Sequence, residues 1–157
     1  MIRVFIVDDY TPWRCFVSSR LQKLPGYQVI GEASDGLEGV RKTEELQPDL
    51  ILLDVALPSL TGIEVARRIR QVSPASRILF VSQNHSLEWA TEALNTGAGG
   101  YVVKSDAAKD LLRGIKAVLE GKRFISASLA HHFLQAATLG MTPIALPGLI
   151  SFISGIG

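Results

Sequence analysis

Short apolar runs alternate along the chain with longer segments whose apolar residues recur at helical spacing. The runs predict strands, and the longer segments predict helices. The third and fourth runs contain no alternating polar residues, which indicates strands that are covered on both faces of a sheet. The predicted strands are Ile2–Val7, Gln28–Ala33, Leu50–Leu53, Ile78–Val81 and Tyr101–Val103.

A helical segment follows each predicted strand. Pro12 suits the first turn of the first helix because no N–H group is needed there, and Trp13 is expected to anchor that helix in the core. Pro48 requires the second helix to have ended before it. Asp106 is expected to cap the fifth helix, which ends at Gly121. The five helical segments cover residues 12–24, 37–46, 63–72, 87–94 and 107–119.

The strict alternation of five strands with five helices predicts an α/β domain built on a parallel sheet. Because crossovers between parallel strands are right-handed, the helices are expected on both faces of this doubly wound sheet. One further helix is predicted at residues 126–137, with Ser126 as its cap. Beyond it, glycines and prolines interrupt every periodic pattern.

The charges are confined to one part of the chain. All sixteen Lys and Arg and all fifteen Asp and Glu lie between Arg3 and Arg123. The formal net charge of +1 gives no electrostatic footprint for a nucleic-acid binder. A single cysteine, Cys15, excludes an internal disulfide and a thiolate zinc cluster. Acidic residues follow the first apolar run where a signal peptide keeps its apolar core, so a cytoplasmic location is expected.

Polar side chains follow four of the five predicted strands, at the point where each strand ends. Asp8 and Asp9 come after the first strand, Asp54 after the third, Ser82 after the fourth and Lys104 after the fifth. In a doubly wound sheet the carboxyl ends of the strands face one crevice, where ligands bind. We therefore expect these side chains to lie together at that edge.

This set of residue types favours phosphoryl chemistry. Carboxylates in one crevice repel each other unless a cation lies between them, and oxygen ligands of this kind suit Mg²⁺. A lysine and a hydroxyl beside a bound Mg²⁺ can hold the oxygens of a phosphoryl group. A carboxylate among them can accept that group as an acyl phosphate. Each residue alone has an ordinary alternative as a turn residue, a cap or a surface charge, so the prediction depends on the whole set.

The set, in this order, resembles the response-regulator receiver domain of two-component signalling, which has a flavodoxin-like fold. The resemblance covers residues 1–121 and is strongest to the receivers of LuxR-type regulators, because of the stretch 97–101 and the closing residues 119–122. The matching features are the acidic pair Asp8-Asp9, Asp54 with Pro58 four residues on and Gly62 eight residues on, Ser82, and Tyr101 three residues before Lys104.

The resemblance implies a role for each of these residues. Asp54 is expected to be the phosphoacceptor. Mg²⁺ is expected to be bound by Asp9 and Asp54 directly, by the main-chain carbonyl of Ala56, and by Asp8 through water. Lys104 is expected to pair with the phosphoryl group.

Two further residues are implied as a switch. Ser82 is expected to shift towards the phosphoryl group, and Tyr101 is expected to follow it inward. The alternatives are that Ser82 only caps the end of its strand and that Tyr101 is an ordinary half-buried aromatic of its strand. Gln83 departs from the family, which usually has a small residue there. Its long amide is expected to modulate the site, either by narrowing donor access or by slowing the attacking water.

The chain is expected to contain three parts: a receiver domain at 1–121, a linker with an extra helix at 122–137, and an uncharged apolar tail of unknown role at 138–157. A LuxR-type regulator would continue into a helix-turn-helix domain, which the residues after 121 do not resemble. Phosphate contacts require Lys or Arg, and none follows Arg123, so direct DNA binding is not expected. A membrane partner is not expected either, because the tail is only half apolar and a transmembrane helix needs about 20 mostly apolar residues. The tail is interpreted as a segment that docks on the receiver, a pairing segment, or the scar of a truncation or frameshift.

The sequence therefore predicts a phosphorelay response regulator that takes its phosphoryl group from a sensor histidine kinase. Its partner would be a downstream protein or a second copy, contacted through the fourth helix, the Tyr101 strand and the fifth helix. It is not expected to be an enzyme beyond its own phosphorylation and slow dephosphorylation. The main alternative is a truncated LuxR-type transcriptional regulator. A phosphatase that uses an aspartyl intermediate is disfavoured, because such enzymes often have a second acid two residues after the nucleophile, where this chain has Ala56. A receiver kept for binding only is disfavoured because the acidic set is complete.

Overall fold

The structure, a computed structural model, describes residues 1–140. The predictions for the apolar tail beyond residue 140 lie outside the described residues. The chain divides into two compact units, Met1–Ile78 and the part that begins at Leu79.

The first unit is a parallel sheet with three helices. Its central strand is β1, which pairs with β2 on one side and with β3 on the other. The residues at 4–7 and 50–53 are all buried, as expected for strands covered on both faces. The elements are β1 (Ile2–Val7), α1 (Thr11–Gln22), β2 (Tyr27–Ala33), α2 (Gly36–Leu46), β3 (Leu50–Leu53) and α3 (Gly62–Val72).

Side-chain caps determine where two of these helices begin. The carboxylate of Asp35 accepts a hydrogen bond from the N–H of Glu38 (2.8 Å) at the start of α2. The hydroxyl oxygen of Thr61 accepts one from the N–H of Glu64 (3.3 Å) at the start of α3. In both helices a glutamate also lies in the first turn, where the helix dipole favours negative charge.

The prediction that Trp13 anchors α1 in the core is wrong. Trp13 is only half-buried, and its ring packs against that of Phe16, which is exposed (centroids 5.2 Å apart). The fully buried residues of α1 are Val17 and Leu21. Residues four apart share one face of a helix, so Trp13 lies on the same side as this pair but at the first turn of α1, where that face is only partly covered.

The second unit also contains parallel strands and three helices. β5 pairs with β4 on one side and with β6 on the other. The largest side chains in its core, Phe80, Tyr101 and Phe133, are fully buried. The elements are β4 (Arg77–Ser82), α4 (Leu87–Asn95), β5 (Gly100–Val103), a 3₁₀ turn (Lys104–Asp106), α5 (Ala107–Leu119), β6 (Phe124–Ile125) and α6 (Ala127–Thr138).

The strand β6 was not predicted. The sequence interpretation placed residues 122–137 in a linker with an extra helix, whereas Phe124 pairs with Gly100 and Ile125 pairs with Tyr101. A run of two apolar residues has no periodicity that distinguishes a strand from a loop. The described residues therefore form one more strand than the five that were predicted.

Two predicted helix caps have other partners. Ser126 stands at the cap position of α6, but its hydroxyl oxygen accepts a hydrogen bond from the N–H of Val103 (3.0 Å). Asp106 stands at the cap position of α5, but its carboxylate accepts from Ser128. Both positions were predicted correctly, and both side-chain contacts were predicted wrongly, because tertiary partners compete with local capping.

No helix within residues 1–140 combines the length and the apolar character that a membrane span requires.

Candidate phosphoacceptor and metal site

Strand register brings Asp8 and Asp54 to adjacent strand ends. Val7 lies opposite Leu53 in the β1–β3 pair, so the next residue of each strand leaves the sheet at the same level. The N–H of Asp54 donates to the carbonyl oxygen of Val7 (3.0 Å), and the N–H of Asp8 donates to the carbonyl oxygen of Ala33 at the end of β2 (3.0 Å). The three strand ends of the first unit therefore meet at these two aspartates.

The carboxylates of Asp8, Asp9 and Asp54 form a compact acidic cluster. One oxygen from each lies within 4.8 Å of the others, and no other such group of three His, Cys, Asp or Glu side chains occurs in the described part of the chain. Asp8 and Asp54 are 1% and 6% exposed, whereas Asp9 is open to solvent. Such an oxygen donor set fits Mg²⁺, which binds protein through one or two carboxylates and keeps several waters.

Asp8 is held by its neighbours in the turn that leads into α1. Its carboxylate accepts a hydrogen bond from the N–H of Tyr10 (2.8 Å). The guanidinium of Arg14 donates to the Asp8 carbonyl oxygen (2.5 Å) and also pairs with Glu32 on β2 (3.4 Å). Arg14 was missed by the sequence interpretation because one basic residue on a helix resembles any solvated charge.

The loop after Asp54 returns to the strand end very closely. The N–H of Gly62 donates to the carbonyl oxygen of Val55 (2.7 Å). A Cβ atom at Gly62 would stand 1.8 Å from the carbonyl oxygen of Asp54, so no side chain fits there. The N–H of Ala56 donates to the Asp54 carboxylate (3.3 Å). Glycine is therefore required eight residues after Asp54, because the loop brings position 62 against the backbone of Asp54.

The outer part of the same loop is attached to the start of α2. Ser59 adopts a left-handed backbone conformation (φ 68°). Its hydroxyl donates to Asp35 (3.3 Å) and accepts from the N–H of Leu37 (3.1 Å). The carbonyl oxygen of Pro58 accepts from the N–H of Gly36 (3.0 Å). Asp35 thus caps α2 and holds the loop, a double role that local sequence does not reveal.

In the second unit, Ser82 and Lys104 lie at the same end of a strand pair. Ser82 is buried at the end of β4 and lies opposite Val103, the residue that precedes Lys104. The Ser82 hydroxyl oxygen accepts a hydrogen bond from the N–H of Asn84 (3.2 Å). Gln83, between them, is exposed. The unit therefore presents a hydroxyl and an ammonium group from neighbouring strands.

Tyr101 is fully buried, so its interpretation as a half-buried aromatic is wrong. Its hydroxyl donates to the carbonyl oxygen of Asn84 (2.6 Å), and its ring stacks on Phe80 with centroids 6.1 Å apart. Asn84 thus contacts both residues of the predicted switch, Ser82 through its N–H and Tyr101 through its carbonyl oxygen. The sequence interpretation missed Asn84 because both contacts use backbone atoms.

The class of protein follows from this fold together with a family match. Residues 4–116 match the family model of the response regulator receiver domain. The match covers most of the chain, and the chain belongs to that family. The predicted flavodoxin-like fold, with helices alternating along a parallel sheet, is confirmed.

The chain is similar to several individual response regulators. The chain is 34% identical over 130 residues to the response regulator GacA of Pseudomonas viridiflava, which covers 83% of this chain and 61% of that protein. A crystal structure of a two-component response regulator of the LuxR family from Aurantimonas sp. SI85-9A1 superposes with a TM-score of 0.83 at 35% identity, over 88% of this chain and 99% of that one. The response regulator domain of Thermotoga maritima CheB gives a TM-score of 0.70 at 31% identity, over 76% of this chain and 97% of that one.

The LuxR-family structure from Aurantimonas confirms the resemblance to receivers of LuxR-type regulators. The chain spans about three fifths of the length of the curated relatives it matches, 61% in the case of GacA. The chain thus contains a receiver domain of the response regulators. The roles of its individual site residues stay predictions.

Proposed function

We propose that this protein is a phosphorelay response regulator that accepts a phosphoryl group on Asp54 from a sensor histidine kinase. The observation that carries the proposal is the acidic cluster of Asp8, Asp9 and Asp54, whose oxygens lie within 4.8 Å of one another. Family membership supports the choice of Asp54, because it directly follows the buried strand β3 and precedes the loop that Gly62 closes.

Mg²⁺ is the proposed cofactor. Asp9 and Asp54 would hold it directly, Asp8 through water, and the main-chain carbonyl of Ala56 would supply a further oxygen. When bound, it neutralises charge on the phosphoryl oxygens. The exposed side chain of Asp9 leaves room for the waters that Mg²⁺ retains.

The proposed transfer is a displacement at phosphorus. A carboxylate oxygen of Asp54 attacks the phosphorus of the donor phosphohistidine, the P–N bond breaks, and the imidazole of the kinase leaves with the electron pair. The product is an acyl phosphate on Asp54. Water later attacks that phosphorus, the P–O bond to the carboxylate breaks, and inorganic phosphate leaves. The protein turns over no other substrate in this proposal, which covers self-phosphorylation and slow autodephosphorylation only.

Lys104 and Ser82 are proposed to act on the phosphoryl oxygens, Lys104 as an ionic partner and Ser82 as a hydrogen-bond donor. Their common position at the end of the β4–β5 pair supports this assignment. Ser82 and Tyr101 are proposed as the switch, supported by their shared contacts with Asn84. Gln83 is proposed to modulate access to the site from its exposed position.

The output of the switch is proposed to be protein contact in the cytoplasm, with a downstream protein or a second copy and without direct nucleic-acid binding. The surface would include α4, β5 and α5. Since α6 contacts both α4 and β5, we place α6 in that surface as well. A second candidate is the receiver part of a LuxR-type transcriptional regulator, which the greater length of the curated relatives favours.

The direct test is incubation with acetyl phosphate and Mg²⁺, followed by measurement of the intact mass. We expect the mass of one phosphoryl group on the wild type and on Asp49→Asn, and none on Asp54→Asn. Asp49 is a matched control because its carboxylate accepts from the N–H of Arg3 at the opposite end of the strands. Equal phosphorylation of Asp54→Asn would contradict the assignment.

A further inference from the structure

Ser126 forms hydrogen bonds with two residues near the carboxyl end of β5. Its N–H donates to the carbonyl oxygen of Tyr101 (3.0 Å), and its hydroxyl oxygen accepts from the N–H of Val103 (3.0 Å). Ser126 is fully buried, with 0% of its surface exposed. Because buried N–H groups require a partner, the hydroxyl of Ser126 fixes the strand at the residue directly before Lys104.

Of the next two residues, Ala127 contacts α5 and Ser128 contacts the end of the turn that begins with Lys104. The N–H of Ala127 donates to the carboxylate of Asp110 (3.1 Å), which is itself 1% exposed. The N–H and the hydroxyl of Ser128 both donate to the carboxylate of Asp106 (3.4 and 2.5 Å). Residues 126–128, which we call the 126–128 clamp, therefore contact this turn at both ends. Ser126 bonds to Val103 directly before the turn, and Ser128 bonds to Asp106 at its end.

The clamp and the lysine are close in space although more than twenty positions separate them in sequence. Lys104 is the first residue of the 3₁₀ turn, and the clamp contacts the residue before that turn and the residue at its end. The four-carbon side chain of lysine is flexible, so the position of its backbone sets the range that its ammonium group can reach.

We propose that the 126–128 clamp positions Lys104 for phosphoryl chemistry, with Ser126 as the principal positioning residue. The inference rests on the proposed function of Lys104. A misplacement of 1 Å by a change away from the chemistry can cost about a hundredfold in rate. The segment after α5 then belongs to the phosphorylation machinery, although the family match ends at residue 116.

The test compares the full-length wild type with Ser126→Ala in acetyl phosphate and Mg²⁺. We expect the phosphorylation rate of Ser126→Ala to fall by at least about fivefold, within the roughly hundredfold limit of such misplacements. The affinity for Mg²⁺ should stay within about twofold, because the acidic cluster belongs to the first unit. Ser126→Thr, which keeps the hydroxyl, should restore the rate. A wild-type rate in Ser126→Ala would overturn the inference.

A double-mutant cycle separates positioning from general destabilisation. In a Lys104→Ala background, Ser126→Ala should cause no further loss of rate. An equal loss in both backgrounds would mean that Ser126 acts independently of Lys104 and would overturn the inference. Thr138→Ala serves as a control, because its hydroxyl donates only within α6, to the carbonyl oxygen of Leu134 (2.9 Å), and its rate should match the wild type.

A milder variant covers the case in which Ser126→Ala fails to fold. Ser128→Ala removes one hydroxyl contact to Asp106 and keeps the backbone contact. Its rate should fall in the same direction and by less, and an unchanged rate would overturn the inference. If the wild type takes up no phosphoryl group, both the proposed function and this inference are overturned. If the wild type is phosphorylated and the clamp variants have the same rate, only the inference is overturned.

Discussion

Gly62 lies so close to Asp54 that a Cβ atom on the glycine would stand 1.8 Å from the aspartate's carbonyl oxygen. The two residues are eight positions apart and bracket the loop that carries Ala56 and Pro58. Any side chain at position 62 must therefore displace either the start of α3 or the end of β3. This contact links the stability of the fold to the position of the proposed phosphoacceptor.

We expect Gly62→Ala to destabilise the protein by about 1–3 kcal/mol or more, the range for overpacked sites. Its phosphorylation rate should fall as well, because the added methyl group clashes with the backbone of Asp54 itself. Urea unfolding and acetyl phosphate labelling measure the two effects. Gly26→Ala is the control: Gly26 has a φ of +95° and no atom near its Cβ position. It should cost about 1–2 kcal/mol of backbone strain with an unchanged rate. Wild-type stability of Gly62→Ala would contradict the account.

Binding of Mg²⁺ should alter the fluorescence of Trp13. This residue lies in the first turn of α1, directly after the turn that Asp8 holds through the N–H of Tyr10. A titration in the variant Trp89→Phe isolates its signal, since the chain has two tryptophans. We expect a saturable change in emission that Asp9→Asn weakens. No change at saturating Mg²⁺ would count against the proposed metal ligands.

Asp35→Ala should lower the free energy of unfolding by about 1 kcal/mol, the usual effect of losing a helix cap. The contact with Ser59 is lost in the same variant, so the loop after Asp54 should also become more mobile. Thermal unfolding measures the first effect, and amide hydrogen exchange at residues 56, 57, 59 and 60 measures the second. Asp35→Asn keeps an acceptor oxygen at the same place and should resemble the wild type. Equal stability of Asp35→Ala and Asp35→Asn would contradict this interpretation.

Gln83→Ala should accept a phosphoryl group faster than the wild type. Gln83 is exposed and follows Ser82, so its removal opens access without changing the core. Labelling with acetyl phosphate over time gives the two rates, and unfolding curves should coincide. Equal rates for the two proteins would remove Gln83 from the proposed site.

Much of the fold was predictable because strand and helix periods differ clearly in this sequence. β3 was predicted to the residue, since Asp49 and Asp54 bound a wholly apolar run, and α5 was predicted correctly at residues 107–119. β6 and the partial exposure of Trp13 were not predictable from local pattern. Both depend on how a short or mixed segment packs against neighbours that are distant in sequence.

The candidate site likewise contains residues that the sequence predicts and residues that it does not. That Asp8 and Asp54 would meet was predictable, because parallel strands end at one edge. The residues that shape the site were not: Arg14 and Ser126 act through backbone atoms of their partners, and Asn84 acts through its own backbone atoms. Contacts of this kind leave no signature in residue type or spacing.

We expect Asp54 alone to receive the phosphoryl group. Reduction of the labelled protein with borohydride converts an aspartyl phosphate to homoserine, and peptide mass spectrometry then locates the modified residue. After labelling in acetyl phosphate and Mg²⁺, we predict homoserine at position 54 and unmodified aspartate at Asp8 and Asp9. Homoserine at either of those two positions, or at none of the three, would contradict the account.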